Sequence, residues 1–258
     1  MYYAIIMPNY NNGEWIKKSI ESVINQTYRN WILIIVDDCS TDNSVDIIKS
    51  FDDNRIMLYE AKNKVFNGGA RNIGITIAKN AQTDYTVFID SDDWFTDNTC
   101  LERINNILKT EHPDCLTLSY NCLVGDVNHF QDLTRDNQKD LVESLYVACW
   151  TKCIKTEMIQ MFPENTLMED VVQHIKQADV LNTFMSYHEP IITWNRNNTN
   201  SCSREENQNL QRGKWQSSMY RYAADLMDLE CKNECCEEHR KWRLGIVLNN
   251  IKDGRYIQ

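Results

Sequence analysis

Apolar residues along the first 120 positions switch repeatedly between two periods. Residues 4–7 are a short apolar run stopped by Pro8, the pattern of a strand entering a loop. Trp15, Ile16, Ile20, Val23 and Ile24 then share one face of a 3.6-residue period, which predicts a helix. Residues 31–36 (WILIIV) are apolar without a break and rich in Ile and Val, as in a parallel-sheet strand buried on both faces. This run stops at Asp37-Asp38, and Ser40-Thr41-Asp42-Asn43-Ser44 offers helix caps before Val45, Ile47 and Ile48. Residues 56–59 make a third strand. Gly68-Gly69-Ala70-Arg71-Asn72 opens a helix carrying Ile73, Ile77 and Ala78. Residues 85–89 make a fourth strand, again ending in acids. Thr96 caps a helix with Leu101, Ile104, Ile107 and Leu108, and residues 115–118 make a fifth strand. Strands alternating with helices predict an α/β unit with a mostly parallel central sheet flanked by helices and right-handed connections.

After Asn121 the rhythm breaks. Residues 126–140 read as polar and turn-like, 141–147 and 152–159 as helical, and 168–180 as a helix with Val171, Val172, Ile175 and Ala178 inward. Residues 195–209 read as an Asn-rich loop, and 214–248 carry a long helical pattern in one or two pieces. No repeat of 20 residues or more is visible.

Charge narrows the partners. The 258 residues carry a formal charge of −10, and from Arg204 onward 10 basic residues face 9 acidic ones, so the acidic excess lies upstream. No concentrated basic surface exists for nucleic acid. The longest apolar run falls far short of the roughly 20 residues that span a bilayer, and the opening MYYAIIMPNY has no signal-peptide pattern. The ten cysteines follow no scaffold spacing in a chain long enough to fold without staples, so a reducing, cytoplasmic location is expected.

In open α/β sheets, ligands sit beyond the carboxyl ends of the strands. Three such ends carry polar clusters: Pro8-Asn9-Tyr10, Asp37-Asp38 and Asp90-Ser91-Asp92-Asp93. Carboxylates gathered at one edge repel each other, and a divalent cation on phosphate oxygens would offset that cost. The pattern therefore points to a metal–diphosphate ligand. Asp90 and Asp92 are alternatively helix caps, and Asp37-Asp38 is alternatively part of a capped turn. Arg71, near a helix start, meets either a phosphate or an acid such as Asp90 or Asp93. Glu169-Asp170 either favours the dipole of a helix first turn or supplies a general base.

In their joint order and spacing, several strings resemble the family 2 glycosyltransferases, which have the GT-A fold. They are Ile6-Met7-Pro8-Asn9-Tyr10-Asn11, Ser19-Ile20-Glu21-Ser22-Val23 with Gln26-Thr27-Tyr28, and Ile35-Val36-Asp37-Asp38-Cys39-Ser40-Thr41-Asp42. Asn67-Gly68-Gly69-Ala70-Arg71-Asn72 with Gly74, Phe88-Ile89-Asp90-Ser91-Asp92-Asp93, and Glu169-Asp170 complete the set. The strong match covers roughly residues 3–100, with a thinner one to about 205. The resemblance implies a GT-A catalytic domain over 1–205, with 1–120 binding the nucleotide sugar and 121–205 on the acceptor side, followed by a helical segment over 206–258. It implies a UDP-sugar donor: Asp38 on the base with Pro8, Asn9 and Tyr10 around it, Arg71 near the nucleotide, and Asp90 with Ser91 at the ribose or metal shell. Asp92 is the implied ligand of Mn²⁺ or Mg²⁺, Asp93 shares either role, and Asp170 is the implied base beside Glu169. The implied reaction is inverting transfer of one hexose or N-acetylhexosamine to a hydroxyl of a glycan or lipid-linked glycan. The Gln/Arg-x-x-Arg-Trp string of processive members is absent. One departure is Cys39, where Gly or Ala is commoner. The alternative is a silent nucleotide-sugar-binding or scaffold protein of the same fold. A nucleotidyltransferase would want a Gly-rich loop after the first strand, which Pro8-Asn9-Tyr10-Asn11-Asn12-Gly13 does not supply.

Outside those strings, Trp150 and Trp194 are acceptor-stacking or core residues, and His188 assists near the diphosphate or sits on the surface. Cys231, Cys235 and His239, with Cys236 adjacent, are spaced for one helical stripe, but i and i+8 lie about 12 Å apart, too far for one zinc ion without a bend. His239-Arg240-Lys241-Trp242-Arg243 is either a peripheral membrane contact or a charged helix face.

Overall fold

In the computed structural model, which describes residues 1–132, 148–164, 169–199, 201, 222–232 and 234–253, the predicted alternation becomes one nine-stranded sheet. Its first half contains β1 (Tyr3–Asn9), β2 (Trp31–Asp37), β3 (Ile56–Glu60) and β4 (Tyr85–Phe88), all parallel, in the order β3-β2-β1-β4. All seven residues of β1 are buried, because helices cover both faces of the parallel half. These are α1 (Ile16–Ile24), α2 (Ser44–Lys49) and α3 (Phe66–Asn80). Register sets Asn9 opposite Asp37 and Ile6 opposite Phe88, so the three acidic or polar strand ends share one edge.

The second half corrects the expectation of a mostly parallel sheet: the sheet is mixed. β8 (Lys152–Lys155) pairs antiparallel with both β4 and β6 (Cys115–Val124). β6 pairs parallel with β9 (Phe184–Asn195), and β9 antiparallel with β5 (Trp94–Phe95). Residues 152–159 were expected to be helical but form β8 and a 3₁₀ turn, Thr156–Met158. Short apolar runs fit either period, and here the open edge between β4 and β6 decides. The turn-like stretch after 126 instead folds back as β7 (Val127–Gln131), paired with β6 through Gly125 at φ +60°. The helix at α4 (Cys100–Glu111) begins after Thr99 rather than Thr96, with Asp97 accepting the Thr99 N–H. α5 (Glu169–Val180) forms as expected, whereas the helix expected over 141–147 lies outside the described residues. The long C-terminal pattern yields a helical segment at 222–228 and α6 (Glu234–Asp253). Leu226, Cys236 and Val247 from these join the same buried apolar cluster as the sheet. No helix among the described residues is long and apolar enough to cross a membrane.

Two glycines bring α3 close enough to matter. A Cβ on Gly74 would fall on the Ile6 side chain of β1, and one on Gly68 would meet the Pro163 carbonyl at 2.6 Å. The first lets α3 lie flat on the parallel half. The second admits the chain leading to α5.

Candidate active site

Backbone groups organise the ends of β1 and β2. Asn9 is buried and donates through Nδ2 to Asp37 Oδ1 at 2.7 Å and to Ser44 Oγ at 3.1 Å, while the Asp38 N–H donates to the Asn9 carbonyl at 2.8 Å. Asp37 also accepts from the Ser40 N–H and hydroxyl, at 3.0 and 2.6 Å. Asp38 accepts from the Val65 N–H at 2.6 Å and the Phe66 N–H at 3.0 Å, and pairs with the Lys64 ammonium at 3.2 Å. Its carboxylate thus caps α3, satisfying N–H groups that have no partner within the helix. Lys64 also lies 2.7 Å from the centre of the exposed Tyr10 ring, beyond the buried Pro8. Cys39 takes φ +60°, the left-handed region that favours glycine. Backbone shape, rather than side-chain size, is what the position demands.

The end of β4 turns sharply, the Asp93 N–H donating to the Asp90 carbonyl at 2.9 Å. Its side chains then diverge. Ser91 is buried, its hydroxyl accepting from Asn12 at 2.7 Å and its carbonyl from Ser19 at 2.9 Å. Asp92 accepts from Asn198 at 2.7 Å; burial, and then Asp90, push its pKa up to about 6. Asp93 is buried deeper. Its Oδ1 accepts the Asn195 N–H at 2.8 Å, its Oδ2 is buried without a hydrogen-bond partner, and burial followed by Asp92 and Asp90 drives its pKa well up. Lys64, Asn12 and Asn198 have no signature in the sequence, since isolated residues in polar loops carry no periodic signal.

Arg71 ties this edge to the other half of the molecule. It is 3 % exposed and comes from the first turns of α3. One terminal nitrogen donates to Asp90 Oδ1 at 2.9 Å, and the other donates to Glu169 Oε1 at 3.0 Å and Asp170 Oδ1 at 3.2 Å. Of the two kinds of partner expected for Arg71, the structure shows acids, and three of them. The carboxylates differ in access: Glu169 is 8 % exposed and Asp170 is 31 % exposed. Burial, then the adjacent Asp170, raise Glu169 to about 7 against the pull of Arg71. Asp170 is also raised by burial, with Arg71 opposing.

Among the described residues no group of three His, Cys, Asp or Glu side chains forms a ready-made metal cluster. A Mg²⁺-type site completed by substrate phosphates needs only one or two carboxylates. Asp92, partly accessible and crowded by two neighbouring acids, together with the unpartnered Asp93 Oδ2, fits that requirement.

The remaining candidates fall elsewhere. Trp150 is buried, edge-on to Tyr120 at 4.9 Å and 6.1 Å from Trp194, an aromatic cluster that packs β6 against β9. Trp194 keeps partial exposure and carries the Arg196 guanidinium 4.7 Å from its ring. His188 is exposed on β9, 3.7 Å from Asp132. Cys231 precedes α6 rather than lying on it, which removes the helical stripe expected of the cysteines. In the basic stretch, Arg240 pairs with Glu237 at 2.6 Å and donates to the Leu226 carbonyl, Arg243 is buried, and Lys241 and Trp242 are exposed.

The α/β fold thus gathers acids and a guanidinium at the carboxyl edge of its strands, where the ligands of such sheets sit. The model of Glycosyl transferase family 2 matches residues 4–170, more than half of the chain, and the chain belongs to that family. It is 38% identical over 97 residues to glycosyltransferase GlyG of Streptococcus pneumoniae, covering 37% of this chain and 31% of that protein. It is 32% identical over 163 residues to the Escherichia coli UDP-Glc:alpha-D-GlcNAc-diphosphoundecaprenol beta-1,3-glucosyltransferase WfgD, covering 62% of each. The matched region thus spans between about a third and under two-thirds of these relatives' length. The fold is similar to that of Staphylococcus aureus TarS 1-349 in complex with UDP-GlcNAc, with a TM-score of 0.74, 20% identity, and coverage of 96% of this chain and 72% of that one. It is also similar to the mannosyltransferase PcManGT of Pyrobaculum calidifontis in complex with GDP-Man and Mn²⁺, with a TM-score of 0.61, 14% identity, and coverage of 96% and 73%.

Proposed function

We propose that the chain transfers one sugar from a nucleotide diphosphate sugar, a UDP-sugar in the first instance, to a hydroxyl of a glycan or lipid-linked glycan, with inversion. The observation that carries the reading is the Arg71 bridge, which holds Asp90 of the donor edge and the partly exposed Asp170 on one guanidinium. The UDP-GlcNAc held by TarS and the diphosphoundecaprenol-linked acceptor named for WfgD support the donor and acceptor classes.

In this reading, the nucleotide base lies against Tyr10, over Pro8 and Asn9. Asp38 has lone pairs left beyond its three donors to accept a base N–H. Asp90 and Ser91 face the ribose side. Asp92, with Asp93 behind it, would hold Mn²⁺ or Mg²⁺, which supplies positive charge to the leaving diphosphate when bound. Asp170 accepts the proton of the acceptor hydroxyl as that oxygen attacks the anomeric carbon from the face opposite the diphosphate. Arg71 orients Asp170 rather than touching phosphate.

The test pairs calorimetry with a transfer assay on Asp170→Asn, using a panel of nucleotide sugars with and without manganese. Removing a general base costs about 10²–10⁴-fold in rate. The expected result is a loss of that size with donor binding kept. Transfer at the wild-type rate would remove Asp170 from the role, and a wild-type protein that binds donors but never turns them over would favour the silent binding protein.

A further inference from the structure

A second basic group lies buried behind the carboxylates that Arg71 gathers. Lys152, the first residue of β8, is 1 % exposed. Its ammonium donates to the Ala148 carbonyl at 3.1 Å and lies 2.9 Å from His174 Nε2. His174 is also buried and stands four residues after Asp170 on α5, so the two side chains leave the helix on one face, about 5–6 Å apart at Cβ. Burial, then Lys152, Arg71 and His239, hold the imidazole neutral. A neutral ring that accepts at Nε2 carries its proton on Nδ1. The chain just before Lys152 serves both groups: the Ala148 carbonyl accepts from the ammonium, and the Cys149 N–H donates to the Asp170 carboxylate.

We propose that the Lys152–His174 pair is a positioning device for Asp170, a second buried cation that helps Arg71 keep this carboxylate ionised and anchors the turn whose Cys149 N–H orients it. This rests on the reading of Asp170 as the base. The support is charge balance. Arg71 faces Asp90, Glu169 and Asp170, three acids against one cation. Lys152 adds a second positive charge, and Glu169, raised to about 7, is the acid that holds on to a proton. Asp170 is faced by Arg71 from α3, Asp90 from the end of β4, Cys149 from the turn, Glu169 from its own helix and Lys152 from β8. Lys152 is faced in addition by Cys115 of β6, and burial lowers it to about 8, which leaves it charged at neutral pH.

Lys152→Met keeps the stem and removes the charge. A neighbouring opposite charge moves a carboxyl by about one pH unit or more. The acid limb of the kcat profile, a property of the Glu169–Asp170 pair as a whole, is therefore expected to move up by about that amount. That means about a tenfold loss of kcat below pH 6, recovery toward pH 8, and an unchanged donor KM. An acid limb that stays in place while kcat drops equally at every pH would overturn the proposal. His174→Leu is expected to displace the limb and His174→Gln, which restores a neutral acceptor, to return it; this pair decides the point if Lys152→Met does not fold. Carboxyl ¹³C NMR titration of wild type and Lys152→Met reads the acids without any sugar. Unmoved carboxyl titrations overturn the proposal. Moved titrations in a protein whose Asp170→Asn variant still transfers sugar uphold the electrostatics and overturn only the base assignment.

Discussion

Two regions of this molecule hold acids at the same edge by opposite means. At the end of β2, carboxylates accept from backbone N–H groups of the parallel half: Asp37 from Ser40, and Asp38 from the opening of α3. On the far side, Glu169 and Asp170 depend on one guanidinium 98 and 99 residues earlier in the chain. Asp37 is held within its own turn, and Asp38 by the start of α3, 27 and 28 residues further on. A carboxylate that needs a remote cation keeps its charge in the buried site only where the two halves have docked. Asp37 and Asp38 are therefore held by hydrogen bonds within the parallel half, and Glu169 and Asp170 by a charge from across the sheet.

The comparison breaks most forcefully at Arg71. Arg71→Met strands buried acids from both halves, and removing one partner of a buried ion pair costs about 3–5 kcal/mol. Chemical denaturation should show a loss of that size, far above that of Asp38→Ala, where loss of a helix cap costs about 1 kcal/mol. Equal losses would mean that the two edges are held alike.

Acid pH sharpens it next. Glu169 has a raised folded pKa, about 7 against an ordinary 4.5. Between those values the folded state keeps a proton that the unfolded state has released, so stability falls as pH rises through this window and levels off above it. Glu169→Gln lacks this titration. Its unfolding free energy should lose less between pH 4.5 and 7 than that of the wild type, by on the order of 2 kcal/mol. Parallel curves would place the titration elsewhere.

Smaller effects test the scaffold under the donor edge. Gly74→Ala drives a methyl into Ile6, and overpacking of this kind costs about 1–3 kcal/mol. The thermal midpoint should fall while metal-independent donor contacts survive. Cys39→Gly relaxes a left-handed residue and should gain about 0.5 kcal/mol, whereas Cys39→Val, branched at Cβ, should lose stability. A destabilised Cys39→Gly would show that the thiol's 3.3 Å contact with the Ala61 carbonyl outweighs the backbone strain.

Much of the donor edge could be read from the chain alone. Residues 31–36 declare a buried strand by composition, and Asp37-Asp38 and Asp90 through Asp93 declare acidic strand ends at one edge by position. The second half of the sheet could not. β8 was expected to be helical, β9 was unforeseen, and the aromatic contact between Trp150 and Trp194 arises only because β6 and β9 pair. Those strands are short or irregularly patterned, and their conformation depends on neighbours that sequence periodicity does not report.

Local pattern, then, determined the alternating elements, the acidic strand ends and the acids opening α5, because hydrophobic period and helix-end chemistry act within a few residues. Tertiary structure decided which acids Arg71 binds, that Asp38 caps α3, and that Lys152 and His174 lie buried behind Asp170. Those are choices among charged partners distant in sequence, and they are settled by which groups lose water together when the two halves of the sheet close.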